Sequence, residues 1–262
     1  MKLLSTAAAA LLVFGASASQ GAELYNNGPV VNGSGVSLLS APATSYGFTA
    51  STATNISVAD NFSVAGAGWN VSSLDFFGYQ TQSGTGVYTF TSATWSIIAG
   101  SNIASGTLVA SGITALTNAG LVGYRTLDTA PTNQNRAIFR LNADITDVTL
   151  AAGNYFLTWS LTGTGASGPF VPPVVGSLGN GNALQSLSGQ PFATIAEGGT
   201  GQSVELPFAI NGSAVTAVPE PASWAMMILG MGIVGFALRT ARRRSDARFD
   251  AKIKRIAAGE LA

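Results

Sequence analysis

The segment that most restricts how this 262-residue chain can fold runs from Val218 to Arg244, VPEPASWAMMILGMGIVGFALRTARRR. Its 17 residues from Ala222 to Leu238 carry no charge and are mostly apolar, and Arg239, Arg242, Arg243 and Arg244 close the run. A helix packed on a soluble core needs a polar outer face, and this run offers none. In a bilayer the same order is self-consistent. At ~1.5 Å per residue the run covers roughly 25 Å, near the lower limit for hydrocarbon, and Arg239 can snorkel so that the helix continues to Ala241. The sequence therefore predicts one transmembrane helix over residues 222–241, with the four arginines as a stop-transfer cluster on the cytoplasmic side. Gly230-x-Gly232-x-x-Gly235 spells a dinucleotide fingerprint, but no strand precedes it and the acid it needs would fall beyond the arginines. Those glycines instead offer a face that a second membrane helix can approach closely.

Pro219-Glu220-Pro221, two residues, Trp224-Ala225-Met226-Met227, a glycine-rich apolar segment and an arginine cluster follow one another in that order. Together they resemble the PEP-CTERM sorting signal of proteins exported by Gram-negative bacteria that build an extracellular polymer matrix. The resemblance implies processing by an exosortase, a membrane-embedded cysteine transpeptidase, with Pro219, Glu220 and Pro221 as the recognition element. An ordinary single-pass anchor after a proline turn is the competing reading. Such signals stop just after the arginines, whereas this chain continues from Ser245 to Ala262. In that basic tail Phe249, Ile253, Ile256 and Leu261 recur at near-helical spacing, which predicts an amphipathic helix on the anionic inner leaflet; a solvated tail is the alternative.

At the other end, Lys2 precedes an apolar run from Leu3 to Gly15 and then Ala16-Ser17-Ala18. This order predicts a signal peptide over residues 1–18, cut between Ala18 and Ser19. From Ser19 to Val218 three arginines face eight acids, a net charge of −5, while the segment from Pro219 onward has eight bases and four acids, a net +4. An acidic exported part and a basic inner tail fit the positive-inside tendency. Nothing in the exported part forms a basic stripe, so nucleic acid is not an expected partner.

The chain has no cysteine and no histidine. That removes disulfides, Cys or Ser-His nucleophiles, and zinc or copper sites built on thiolate or imidazole. Calcium held by carboxylates is what this composition leaves open, but no loop has EF-hand spacing, and no metal or cofactor is assigned.

Charged residues are only 9% of the chain while 47% are hydrophobic, a combination that argues against disorder and for short strands joined by turns. Alternating runs predict strands over residues 55–64, 71–79, 87–98, 107–113, 121–127, 137–141, 147–150, 155–161 and 203–210. The expected fold is all-β, an antiparallel β-sandwich of jelly-roll-like type over residues 19–210, then a linker over 211–218 and the sorting signal over 219–244. Within the body, Ala59-Asp60-Asn61-Phe62, Gly68-Trp69, Leu74 to Gln80, Ala151 to Tyr155 with Trp159, and Gly168 to Pro173 resemble a recurrent PEP-CTERM exported domain with no established activity. That resemblance implies a fold and a secreted setting, and no chemistry.

Two weaker signals point to carbohydrate. Asp60 with Asp75, or Asp144 with Asp147, could form a glycosidase pair, although aspartates at strand ends also cap turns. Trp69, Phe77, Tyr79 and Trp95 could stack on sugar rings, although alternating aromatics are usually core. The body is therefore expected to be non-enzymatic. The expected partners are an exosortase, the inner membrane and extracellular polysaccharide, and the expected course is export, transient anchoring, and release to the cell surface or matrix.

Overall fold

A computed structural model describes residues 21–40, 42–81, 86–216 and 221–258. The predicted signal peptide, with Ala18 and Ser19, lies outside the described residues, as do Pro219 and Glu220. The chain divides into two compact units at Val215/Thr216.

The first unit is built of β-strands: β1 (Ala22–Asn26), β2 (Val36–Ser37), β3 (Phe48–Thr49), β4 (Ser57–Val64), β5 (Trp69–Gly78), β6 (Phe90–Ala99), β7 (Thr107–Arg125), β8 (Ala137–Leu150), β9 (Gly153–Gly163), β10 (Phe170–Val171), β11 (Leu184–Ser186), β12 (Ala193–Thr194) and β13 (Phe208–Ala214). One curled sheet runs in the order β1-β13-β5-β8-β7-β6-β9-β4-β11-β12, β2 adds to β7 in parallel, and β3 pairs with β10 separately. The other ladders are antiparallel.

The curl makes two layers out of one sheet, and β7 is the strand that joins them. Its first half pairs with β6 up to Ser92↔Ala115, and its second half pairs with β8 from Leu116↔Ala143. Between the layers, aromatic side chains close the core. The Phe76 ring on β5 lies 5.7 Å from that of Trp159 on β9, Trp159 lies 5.7 Å from Phe208 on β13, and Phe208 lies 6.1 Å from Phe62 on β4. Trp159, Phe76 and Phe208 are fully buried, each worth roughly 1.5–3 kcal/mol of hydrophobic stabilisation. The expected two-layered all-β fold is thus present, as halves of one sheet.

Several local expectations are corrected. Residues 107–113 and 121–125 belong to one 19-residue strand that ends at Arg125, short of the predicted 127, because Asn118-Ala119-Gly120 between them forms a bulge and not a turn. Gly120 sits at φ 118°, and its N–H donates to Asn118 Oδ1 at 2.9 Å. Residues 137–141 and 147–150 are likewise one strand, β8, so Asp144 and Asp147 lie within a strand and not at a turn. β8 stays extended there because Asp144 pairs with Ser73, and Val148 to Leu150 pair with Val71 to Trp69. Tyr155 to Leu161 on β9 is buried on both faces. The predicted linker is strand up to Ala214, since Asn211 to Ala214 pair with Ser73 to Trp69.

Two charged side chains pin the long segment between β2 and β3. Arg125, fully buried, donates to the carbonyls of Ser37 at 2.7 Å, Ser45 at 2.6 Å and Tyr46. Burial lowers its pKa to about 10. Glu197, also buried, accepts from the N–H groups of Thr44 (2.6 Å), Ser45 (2.5 Å), Gly199 (2.9 Å) and Thr200 (2.8 Å), and from Thr200 Oγ1 at 2.9 Å. Burial pushes its pKa up, but the backbone donors of Ser45, Thr44, Gly199 and Thr200 outweigh it and hold the carboxyl at about 2.

The second unit is one helix, α1 (Pro221–Ala257), of 37 residues.

Candidate functional site

α1 starts at a proline, whose missing N–H costs nothing in the first helical turn. Its body is long and apolar enough to cross a membrane, and none of its most apolar stretch is buried. Trp224, Met226, Met227, Ile228, Leu229, Met231, Ile233, Val234, Phe236 and Leu238 are all exposed. An apolar surface of this extent has one compatible solvent, lipid hydrocarbon. Gly230, Gly232 and Gly235 have open space where a side chain would stand.

Arg239, Arg242, Arg243 and Arg244 follow within the same helix, with no break at the apolar-to-basic boundary. Thr240, at that boundary, returns its hydroxyl to the Phe236 carbonyl at 2.8 Å and so hides its polar group against the backbone. The helix then runs on to Ala257, so the predicted separate helix on the inner leaflet is a continuation of the spanning one. Phe249, Ile253 and Ile256 are exposed on it, at i, i+4 and i+7; Leu261 lies outside the described residues.

The acids and aromatics weighed as carbohydrate residues occupy other roles. Asp75 is 2% exposed and accepts from Arg140 at 2.6 Å, Asn142 at 2.8 Å and Asn211 at 2.7 Å, which ties β5 to β8 and β13. Asp60 is fully buried on β4 and accepts from Asn27 Nδ2 at 3.0 Å, Leu206 N at 2.8 Å and Asn61 N at 2.8 Å. Burial and the neighbouring Glu205 carboxyl raise the Asp60 pKa to about 8, against the opposing pull of the Leu206 and Asn61 N–H groups. Tyr25, beside this pair, is raised to about 12 by burial and by the two acids. Trp69, Phe77, Tyr79 and Trp95 are all buried, and of the four Trp95 also lines the cleft described below. Trp95 donates Nε1–H to Thr114 Oγ1 at 2.9 Å, and Gly112 lies so close to its ring that a Cβ there would come within 3.1 Å.

Asp144 and Asp147 do reach one site. With Trp95, residues 110–115 of β7, Ile145, Thr146 and Val148 they line a cleft of about 720 Å³, where β7 and β8 part company. Among the described residues no group of three or more acids is placed to hold a metal ion.

Sequence reasoning missed Glu197, Glu205 and Arg125. For Glu197 a signal existed, a carboxylate followed directly by Gly198-Gly199-Thr200, whose small residues leave backbone N–H groups free to turn toward it. No local pattern marks the others.

No curated protein matches the chain. A family model described as the PEP-CTERM protein-sorting motif matches residues 217–244, which contain the Pro-Glu-Pro element, the apolar run and the four arginines. That motif is a C-terminal signal for exosortase processing, and together with the apolar helix it fits transient anchoring in the membrane before export. The chain is a PEP-CTERM motif-containing protein, with an all-β body ahead of a C-terminal helix that carries the sorting signal.

Proposed function

We propose that this is a surface or matrix protein without catalytic activity, held by α1 while an exosortase cuts beside Pro219-Glu220-Pro221 and passes the β-body outward. In this reading the product serves exopolysaccharide or biofilm assembly. The observation that carries it is the coincidence of the sorting motif at residues 217–244 with a helix whose apolar residues are exposed along its length. The body supports it as well, because Asp75 is engaged in bonds that join β5 to β8 and β13, and Asp60 in bonds to Asn27 and Leu206 beside β1 and β13. The test is to express the full chain and a Pro219→Ala/Pro221→Ala variant in a cell that makes an exosortase. The wild-type chain should be shortened and leave the membrane fraction, and the variant should stay full-length and membrane-bound. Equal processing of both would sink the proposal.

A second reading, a domain that binds or degrades carbohydrate, is favoured by Asp144 and Asp147 lining one cleft. A glycan array and a polysaccharide-hydrolase screen on the full chain separate the two. Turnover or binding lost in Asp144→Asn or Asp147→Asn would select this second reading.

A further inference from the structure

The curled sheet is shut on one side by β7, which runs from one layer into the other. On the far side its path ends in β1 in one layer and β12 in the other, and among the described residues no ladder joins these ends. What crosses the gap there is a set of side chains. On β4 the inward positions Val58, Phe62 and Val64 belong to the core, and between Val58 and Phe62 stands Asp60, an acid with 0% exposure. Its Oδ2 reaches the other layer, accepting from Asn27 Nδ2 at 3.0 Å, just past β1, and from the Leu206 N–H at 2.8 Å, just before β13. Asn27 also donates from Nδ2 to the Leu206 carbonyl at 2.9 Å and from its N–H to the Phe208 carbonyl at 3.0 Å.

Glu205 completes this junction. Its carboxyl lies within hydrogen-bond reach of Asp60, and its Oε2 is buried without a hydrogen-bond partner. Two carboxyl groups in contact bond only while a proton lies between them; without it they are two like charges in a poorly solvated place. Tyr25 on β1 is the other titratable group beside the pair, and its hydroxyl donates to Asn27 Oδ1 at 2.7 Å. The strands flanking β4 bring no charge, since Leu157 of β9 stands opposite Asp60 and Leu184 of β11 opposite Ala59. Among the described residues the ion pairs all belong to Arg140, so no cation stands in for a lost proton.

We infer that Asp60 and Glu205 share one proton that latches the open side of the sheet, and that its loss frees β1 while the two layers stay joined at β7. β1 is the element that can leave, because it is five residues long and pairs with β13 alone, through a ladder whose register shifts between Glu23 and Tyr25. The direction follows from where the proton is held. Burial and Glu205 raise the Asp60 pKa to about 8, so the closed form keeps the proton below that pH, whereas an opened form whose carboxyls meet water loses it above ~4. Between those limits each pH unit favours opening by up to about tenfold, and the dependence levels off beyond. Tyr25, raised to about 12, titrates outside this window.

The experiment is hydrogen–deuterium exchange of the full chain in a mild detergent, read by mass spectrometry from about pH 5 to 9 and corrected for the intrinsic pH dependence of amide exchange. In the wild type, protection of residues 22–27 should fall with rising pH by up to about tenfold per unit until about pH 8, and at every pH it should be lower than that of β6, because β1 is released without unfolding of the body. Glu205→Gln puts an NH2 where the shared proton lay, so the bond to Asp60 persists and protection should be the same at both ends of the range. Tyr25→Phe should keep the wild-type slope. Infrared difference spectra of the wild type need no variant and should show a protonated carboxyl at about pH 6 that is absent at about 9.5. A flat wild-type profile, a wild-type slope retained in Glu205→Gln or lost in Tyr25→Phe, equal protection of residues 22–27 and β6, or no such carboxyl would each overturn the inference.

Discussion

Replacing Glu197 by Gln tests whether one carboxylate holds the Thr44-Ser45 segment to the body. In the wild type Oε1 takes two backbone N–H groups and Oε2 takes two more plus the Thr200 hydroxyl. Gln keeps one acceptor oxygen and turns an NH2 toward the other two backbone donors, leaving both unmatched in a buried site. At about 1–3 kcal/mol for each stranded donor, the loss is about 2–6 kcal/mol. For a body of this size that lowers the melting temperature on the order of 10 °C. Near-ultraviolet dichroism is a suitable probe, because Trp69, Trp95 and Trp159 are buried in the body. The pH dependence gives an independent check. The folded pKa of about 2 lies below the ordinary glutamate value, so the ionised group stabilises the fold above ~4.3 and that contribution is lost as pH falls toward 2. The gap between wild type and Glu197→Gln should therefore be constant from neutrality down to that point and shrink below it. A loss under 1 kcal/mol at pH 7, or a gap that widens in acid, would refute the reasoning.

Asp60→Asn should flatten a slope of the opposite sign: with its folded pKa raised to about 8, Asp60 contributes most to stability at low pH, and that contribution declines as pH rises from ~4 through 8. Urea midpoints of both proteins between those limits decide the matter, and a gap between them that does not vary with pH refutes it. Leu229→Asp places a charge in the middle of the apolar run, at a cost of about 2.5–3.5 kcal/mol for insertion, and should move much of the chain from the carbonate-washed membrane pellet to the supernatant. Unchanged retention would mean that α1 is not what holds the chain in the bilayer.

The helix and its signal were legible because everything that defines them is contiguous: Pro219 to Arg244 can be read residue by residue without knowing what lies nearby. The strands were legible as alternation, but their ends were not. Asn118-Ala119-Gly120 has the composition of a turn, and only the ladder to β8 on both sides of it shows a bulge. The same limit hid the roles of the acids. Asp75 is explained by Arg140 and Asn211, and Asp60 by Asn27 and Leu206, residues from 33 to 146 positions away, which no local spacing can bring together. Trp95 read as core more readily than as a sugar platform, but alternation says which side of a strand a ring takes and not whether a second layer covers that side.

β1 has a consequence for the order in which the body can be completed. Among the described residues it is the first strand and pairs only with β13, the last before the helix. Whatever process delivers the chain from its N-terminal end must hold Ala22–Asn26 unmatched until nearly two hundred residues have followed, and Phe208–Ala214 then closes the sheet between β1 and β5. Completion of the fold and arrival of the sorting motif at residue 217 are thus separated by only two residues, 215–216. A protease present during delivery would find the N-terminal strand open for most of that interval, and its protection would appear late and abruptly, in step with the emergence of β13.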